Sequence, residues 1–283
     1  MALSFVMFSK MLQEFSVAEA AKRIKGLGFD GVDLTVRPGG HVLPEKVAAD
    51  LPAAVSAIHA EGLALPMIST AITRAGDPHV EAILGAAARQ DVRRIKLGYW
   101  NAPKGKLRQA IDDARKALDG LERLAESHQV TLGIHNHSGP GMVNCQPAVI
   151  AELLRDRDPK RIASYFDPGH AAVEGGSGGW RQNLELLGPK IRIVAVKDFG
   201  WKSTPGRPKT VWQALQMPLA DGLVAWSEVF ASLAALDYEG PVSLHSEYKG
   251  AHSWRDLSTA ELIDQTAADL AFVKSLLPAR RAG

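Results

Sequence analysis

Carboxylates, lysines and histidines recur in compact groups along the chain: Asp33 with Arg37 and His41, Lys96 alone, His135-Asn136-His137, Asp167-Pro168-Gly169-His170, Lys197-Asp198, and His245-Ser246-Glu247. In an extended segment residues two apart share a face, so His135 and His137 should point one way, and likewise His245 and Glu247. His135, Asp167, His245 and Glu247 then offer two imidazoles and two carboxylates to one point. That donor set suits Mn²⁺, Zn²⁺, Co²⁺ or Fe²⁺ better than Ca²⁺. The same groups can also serve without metal, as hydrogen-bonding partners of a polar substrate.

Lys96 and Lys197 lie in otherwise apolar runs, where an unpaired ammonium is costly. A carboxylate such as Asp33 or Asp167, or an anionic substrate oxygen, would relieve that cost; a Schiff base is the further alternative. The glycine-rich run at 175–179 lacks the Gly-Lys-Ser ending of a phosphate loop and reads as a flexible lid. Trp100, Trp180, Trp201 and Trp212 offer flat faces that either stack on sugar rings or pack in the core.

These groups need elements that bring them together. Short runs rich in Val, Ile and Leu recur at 3–8, 31–36, 63–69, 94–97, 130–135, 162–167, 191–197 and 241–247. Each suits a buried strand, and each of the groups above falls at or just after the end of one. Between the runs lie segments with one apolar stripe at helical spacing, such as Val47, Leu51, Val55 and Ile58. Ser16 and Glu19 read as a capping box opening the first helix, closed by Gly26 and Gly28. Pro147 suits a first helical turn. The stretch at 201–209, which holds Trp201, reads as a long strand-to-helix loop.

Eight strand–helix units in strict alternation predict parallel strands closing into a single (β/α)₈ TIM barrel over 1–283, with 278–283 as a flexible tail. Barrel enzymes carry their chemistry at the C-terminal ends of the strands, where the polar groups fall. Hydrophobic residues at 46 % supply ample core for 283 residues, and 33 basic against 31 acidic residues leave a formal charge of +2. That balance argues against a phosphate-backbone partner. The single cysteine, Cys145, excludes an internal disulfide framework and suits a reducing compartment. With no signal-like start and no apolar run near membrane-spanning length, the expected location is cytoplasmic.

The strand-end segments resemble the xylose-isomerase-like barrels, a group that includes sugar epimerases, hydroxypyruvate isomerase, inosose dehydratase and endonuclease IV. Asp167-Pro168-Gly169-His170 is similar to the family's Asp-x-x-His element, Ser246-Glu247-Tyr248 to its final metal-binding and catalytic Glu, Val196-Lys197-Asp198 to its seventh-strand ending, and Asn136-His137 to its fifth-strand Asn-His. Two positions depart from the pattern. His135 stands where the family carries a metal-binding Glu, and Ala195 where it carries a metal-binding His. His135 remains a chemically acceptable ligand, and His245 is expected to reach across to the position left by Ala195.

The resemblance implies isomerisation or epimerisation of a keto-sugar or related polyol through a metal-stabilised enediolate. Glu247 would be the base, His135 or His170 the acid, and Lys197 would sit near the developing oxyanion. Asp33, Arg37, His41, Lys96, His137 and Trp201 would contact substrate. The divalent ion would rest on His135, Asp167, His245 and Glu247. A lyase or dehydratase acting on a 3-keto-sugar or inosose is the second expectation, and a non-catalytic sugar-binding barrel the third. The expected partner is a small-molecule sugar, with neither nucleic acid nor membrane, and assembly into a homo-oligomer is left open.

Overall fold

The computed structural model describes residues 3–206 and 208–277. The tail expected at 278–283 lies outside the described residues. Seven strands, β1 (Ser4–Phe8), β2 (Gly31–Thr35), β3 (Ala64–Ser69), β4 (Arg94–Lys96), β5 (Thr131–His135), β6 (Ile162–Phe166) and β7 (Ile191–Val196), are followed by a hairpin, β8 (Asp198–Thr204) with β9 (Val211–Met217), and then by β10 (Pro241–Leu244). The barrel closes in the order β1, β10, β7, β6, β5, β4, β3, β2, with every neighbouring pair parallel. All eight expected strands are present, each within a few residues of the apolar run that foretold it.

The helices are α1 (Val17–Gly26), α2 (Val47–Ala60), α3 (Val80–Arg89), α4 (Leu107–His128), α5 (Pro147–Leu154), α6 (Pro168–Leu187), α7 (Trp226–Ala235) and α8 (Thr259–Ser275). Ser16 caps α1 and pairs reciprocally with Glu19, as the capping box requires, and Ser258 with Glu261 does the same for α8. The main core lies between barrel and helices, where residues such as Leu34, Ile95, Leu132 and Phe166 meet Leu51, Leu84, Leu118 and Ile150. A smaller cluster of Val6, Met67, Tyr165, Ile193 and Ala195 fills the barrel interior. The barrel is therefore packed through its middle, and polar side chains have room only at its mouth.

Three local expectations change. The expected loop at 201–209 lies largely within the β8–β9 hairpin, whose two arms pair antiparallel from Asp198 with Met217 to Thr204 with Val211. Away from the base both faces of the arms are exposed, so no apolar–polar alternation marks them as strands. The glycine-rich run at 175–179 is no lid: it lies inside α6, which breaks at Gly176 with φ 64 and ψ −163, a conformation open to glycine. Of the two alternatives for Trp180 the core is the one realised: it is 1 % exposed, and its burial holds the second half of α6 down despite those glycines. Among the described residues no helix is long and apolar enough to cross a membrane.

Candidate active site

Every barrel strand delivers at least one side chain to the mouth, and the sequence of β6 and its turn shows how. Asp167 caps α6 through Oδ1, which accepts the His170 N–H at 2.9 Å, and Pro168 occupies the first helical position. Gly169 is needed for close approach, because a Cβ there would lie 2.2 Å from the Lys197 carbonyl oxygen. Asn136 completes the joint: its Nδ2 donates to the Asp167 carbonyl at 2.8 Å while its Oδ1 accepts the Asp167 N–H at 2.7 Å. The strand ends carrying His135, Asp167 and Lys197 are thus locked together through their main chains.

The charged centre is a lysine between carboxylates. Lys197 Nζ lies 3.5 Å from Asp167 Oδ2 and 3.2 Å from Glu247 Oε2, and the other Glu247 oxygen accepts from Lys10. Burial disfavours the Glu247 anion, but the Lys197 and Lys10 charges outweigh it and hold the carboxyl well below its usual range. Asp167 is pushed up by complete burial, against the pull of Lys197.

Around this centre stand four histidines. His135 ends β5 and His137 follows two residues beyond it, with ring centroids 6.1 Å apart, and the His137 and His170 ring centroids are 3.9 Å apart. Burial, followed by the Lys197 charge, lowers His135, His170 and His245 well below the ordinary imidazole value and His137 to about 4, so all four are neutral near pH 7. His135 Nε2 is 3.1 Å from Asp167 Oδ2 and its Nδ1 is 2.9 Å from the Tyr99 hydroxyl. In the tautomer with hydrogen on Nε2, His135 donates to Asp167 and accepts from Tyr99 at Nδ1. His170 Nδ1 meets Ser138 Oγ at 2.8 Å, while its buried Nε2 has no protein partner. That nitrogen is available to a ligand.

His245 and Glu247 meet different partners. β10 ends at Leu244, so parity no longer governs the residues beyond it. His245 stacks on Phe8 at 4.4 Å and turns Nε2 to the Tyr165 hydroxyl at 2.8 Å, beside Asp33 Oδ2 at 3.9 Å. Asp33 accepts from Ser69 and Ser243, each at 2.8 Å, and burial raises its carboxyl to about 6. Tyr165, which packs with Ala195 inside the barrel, fills the space that His245 was expected to reach across.

The remaining sequence-predicted residues divide. Lys96 is buried with its Nζ 3.7 Å from the centre of the Tyr99 ring instead of paired with Asp33, and burial, with Arg37 adding to it, lowers its amine to about 7. Arg37 lies over Phe8 at 5.6 Å, on the same rim. His41 is taken up internally, Nδ1 at 3.2 Å from Thr35 Oγ1 and Nε2 at 3.2 Å from the Leu12 carbonyl, and so braces the loops after β1 and β2. Trp201 is 49 % exposed on the β8–β9 hairpin, on the same face as Trp212. Asp198 faces away from the mouth and ties the hairpin to the N-terminal end of α7, accepting from the Leu223 and Val224 N–H groups and from Trp226 Nε1.

Sequence reading missed Lys10, Tyr99 and Tyr165. Tyr165 carried a usable signal, since it precedes Asp167 by two and so shares its inward face; Lys10 and Tyr99 lie on irregular segments where no period applies.

A divalent ion would need lone pairs from His135, Asp167, His245 and Glu247 aimed at one point. His135 Nε2 instead lies against Asp167 Oδ2, His245 turns to Tyr165, and the Lys197 ammonium stands between the two carboxylates. Among the described residues no group of three His, Cys, Asp or Glu side chains could hold a metal ion. The residues present do not fit a resident divalent ion. The arrangement can bind a polar, hydroxyl-rich molecule, stabilise negative charge on oxygen at Lys197, and exchange protons through Glu247 and the histidines.

A closed (β/α)₈ barrel with its polar groups gathered at the strand C-termini defines the class. The family model for the xylose isomerase-like TIM barrel matches residues 21–276, and the chain belongs to that family. Solved structures with this fold include a D-psicose 3-epimerase studied in the presence of D-fructose, at 16 % identity and TM-score 0.72, covering 97 % of this chain and 99 % of that one. A xylose isomerase-like barrel protein from Mycobacterium smegmatis in complex with magnesium has 16 % identity and TM-score 0.68, covering 98 % of both chains. At such identities the likeness is one of fold. Inosose dehydratase from Geobacillus thermodenitrificans is 28 % identical over 136 residues, 44 % of this chain and 43 % of that protein. The chain spans less than half the length of the curated relatives it matches.

Proposed function

We propose that this barrel isomerises or epimerises a keto-sugar or related polyol through an enediolate. The observation that carries the reading is the Glu247 carboxylate, kept anionic at the mouth between Lys10 and Lys197, with an unpartnered His170 Nε2 after β6, two strands away. A bound carbonyl oxygen would replace Glu247 as the acceptor of the Lys197 proton. That exchange places positive charge at the oxygen where negative charge develops, and it relieves the pairing that depresses Glu247. Glu247 is then the base that takes the proton on the carbon next to the carbonyl. His170 or His135 holds the proton for the opposite face, and His137, Lys96 and Arg37 contact the sugar's hydroxyls. The sequence likeness to inosose dehydratases and the fold shared with a sugar epimerase support this chemistry from two directions.

The dehydratase likeness also supports a second reading, in which the same enolate expels a β-hydroxyl as water. Incubating the chain with D-fructose, D-psicose, a 3-keto-glucoside and an inosose in D₂O, followed by proton NMR, separates the two. Solvent deuterium at carbon in an intact sugar is the expected outcome, and loss of water would favour the dehydratase. Glu247→Gln should lower turnover by about 10²-fold or more on whichever compound reacts. Near-full turnover by that variant would remove Glu247 as the base, and sugar binding without any reaction would leave a binding barrel.

A further inference from the structure

We propose that Lys197 is the resident cation of this site, standing in the place between Asp167 and Glu247 that a divalent ion would otherwise take, so that the chain works without metal. The position follows from three independent features. Lys197 leaves β7 on its inner face, two residues beyond Ala195, and its side chain is 2 % exposed, so the ammonium cannot swing out to water. Its Nζ reaches carboxylates from two different strand ends, Asp167 Oδ2 at 3.5 Å and Glu247 Oε2 at 3.2 Å. The two imidazoles expected as ligands are engaged by protein groups: His135 Nε2 lies 3.1 Å from Asp167 Oδ2, and His245 Nε2 lies 2.8 Å from the Tyr165 hydroxyl.

A doubly charged ion entering here would meet an ammonium a few ångströms away in a buried site, where like charges repel strongly. It would also have to detach both carboxylates from that ammonium. Ala195 supplies no compensating ligand, because its side chain is packed in the barrel interior against Tyr165. One fixed positive charge remains, borne on nitrogen with hydrogens to donate. Toward a substrate oxygen it stabilises developing charge by hydrogen bonding as well as by Coulomb attraction.

The chemical meaning of this assignment rests on the enediolate reading, but its test does not. The full chain, stripped with EDTA and dialysed, is titrated with MnCl₂ while unbound Mn²⁺ is followed by electron paramagnetic resonance, and melting is recorded with and without the ion. Wild type should take up no stoichiometric Mn²⁺ and show no shift in Tm. Lys197→Met, which keeps the length and removes the charge, should bind one equivalent with an affinity gain of about a hundredfold, and its Tm should rise with added Mn²⁺. Adding Asp167→Asn to that variant should abolish the gain. Stoichiometric Mn²⁺ on wild type, lost in Asp167→Asn, would overturn the proposal even if Lys197→Met failed to fold. A wild-type chain that turns over sugar only with Mn²⁺ would also overturn it and leave the isomerase reading intact. A chain with no Mn²⁺ and no sugar turnover would do the reverse.

Discussion

At the scale of single residues the site is governed by the burial of charge. Lys96 shows this most plainly, because its amine sits over the Tyr99 ring with its ordinary value of 10.5 lowered to about 7 by burial. The sign of the effect on stability follows directly. Between about 7 and 10.5 the unfolded chain holds this proton and the folded chain has released it, so the unfolded state binds more protons and stability rises with pH across that window. Urea unfolding at intervals through that range should show the rise in wild type and a flatter profile in Lys96→Met. An unchanged slope in the variant would mean that Lys96 is not the source. Burial lowers the histidines in the same direction: all four are too deeply buried to charge near neutral pH, so their contribution to any reaction is as neutral donors and acceptors.

At the scale of elements, precision at the mouth depends on how closely the β6–α6 turn approaches β7. Gly169 carries that approach, with room for no Cβ beside the Lys197 carbonyl. Gly169→Ala should destabilise the fold by about 2 kcal/mol or more through overpacking against a main-chain atom. It should also displace Asp167 and His170 relative to Lys197, so turnover should fall further than stability alone explains. The check is to compare thermal midpoint with activity well below that midpoint; a variant with wild-type values of both would show that the turn has slack. The β8–β9 hairpin is exposed at Trp201 and Trp212 and anchored at its base by Asp198, where Phe199 packs on the His170 ring at 4.9 Å and Gln216 Nε2 donates to the His245 carbonyl at 2.7 Å.

For the whole molecule, a closed parallel sheet with a packed interior confines polar chemistry to one rim. The formal charge of +2 over 283 residues predicts no retention of a duplex at about 200 mM salt in a gel-shift or filter-binding measurement. Tight duplex binding that persists at that salt would contradict the reading of the mouth as a small-molecule site. Membership of the xylose isomerase-like barrels sets the scaffold, and the departures at His135 and Ala195 set the local chemistry within it.

Much of this was written in the chain. Eight apolar runs marked the barrel because buried parallel strands must be apolar on both faces, and the polar residues ending them marked the mouth. His135 ends β5 and His137 lies two residues past it, so the two rings meet through the course of the loop as well as the strand. What the sequence could not determine was direction beyond the strand ends. His245 and Glu247 follow the last residue of β10, where the backbone leaves the pleat, so one turns to Tyr165 and the other to Lys10 and Lys197. Only the closed barrel brings Lys197 between Asp167 and Glu247, residues 30 and 50 positions away in the chain. A period along one strand carries no information about distances across the barrel mouth, and those distances decide whether four metal-like residues surround an ion or an ammonium.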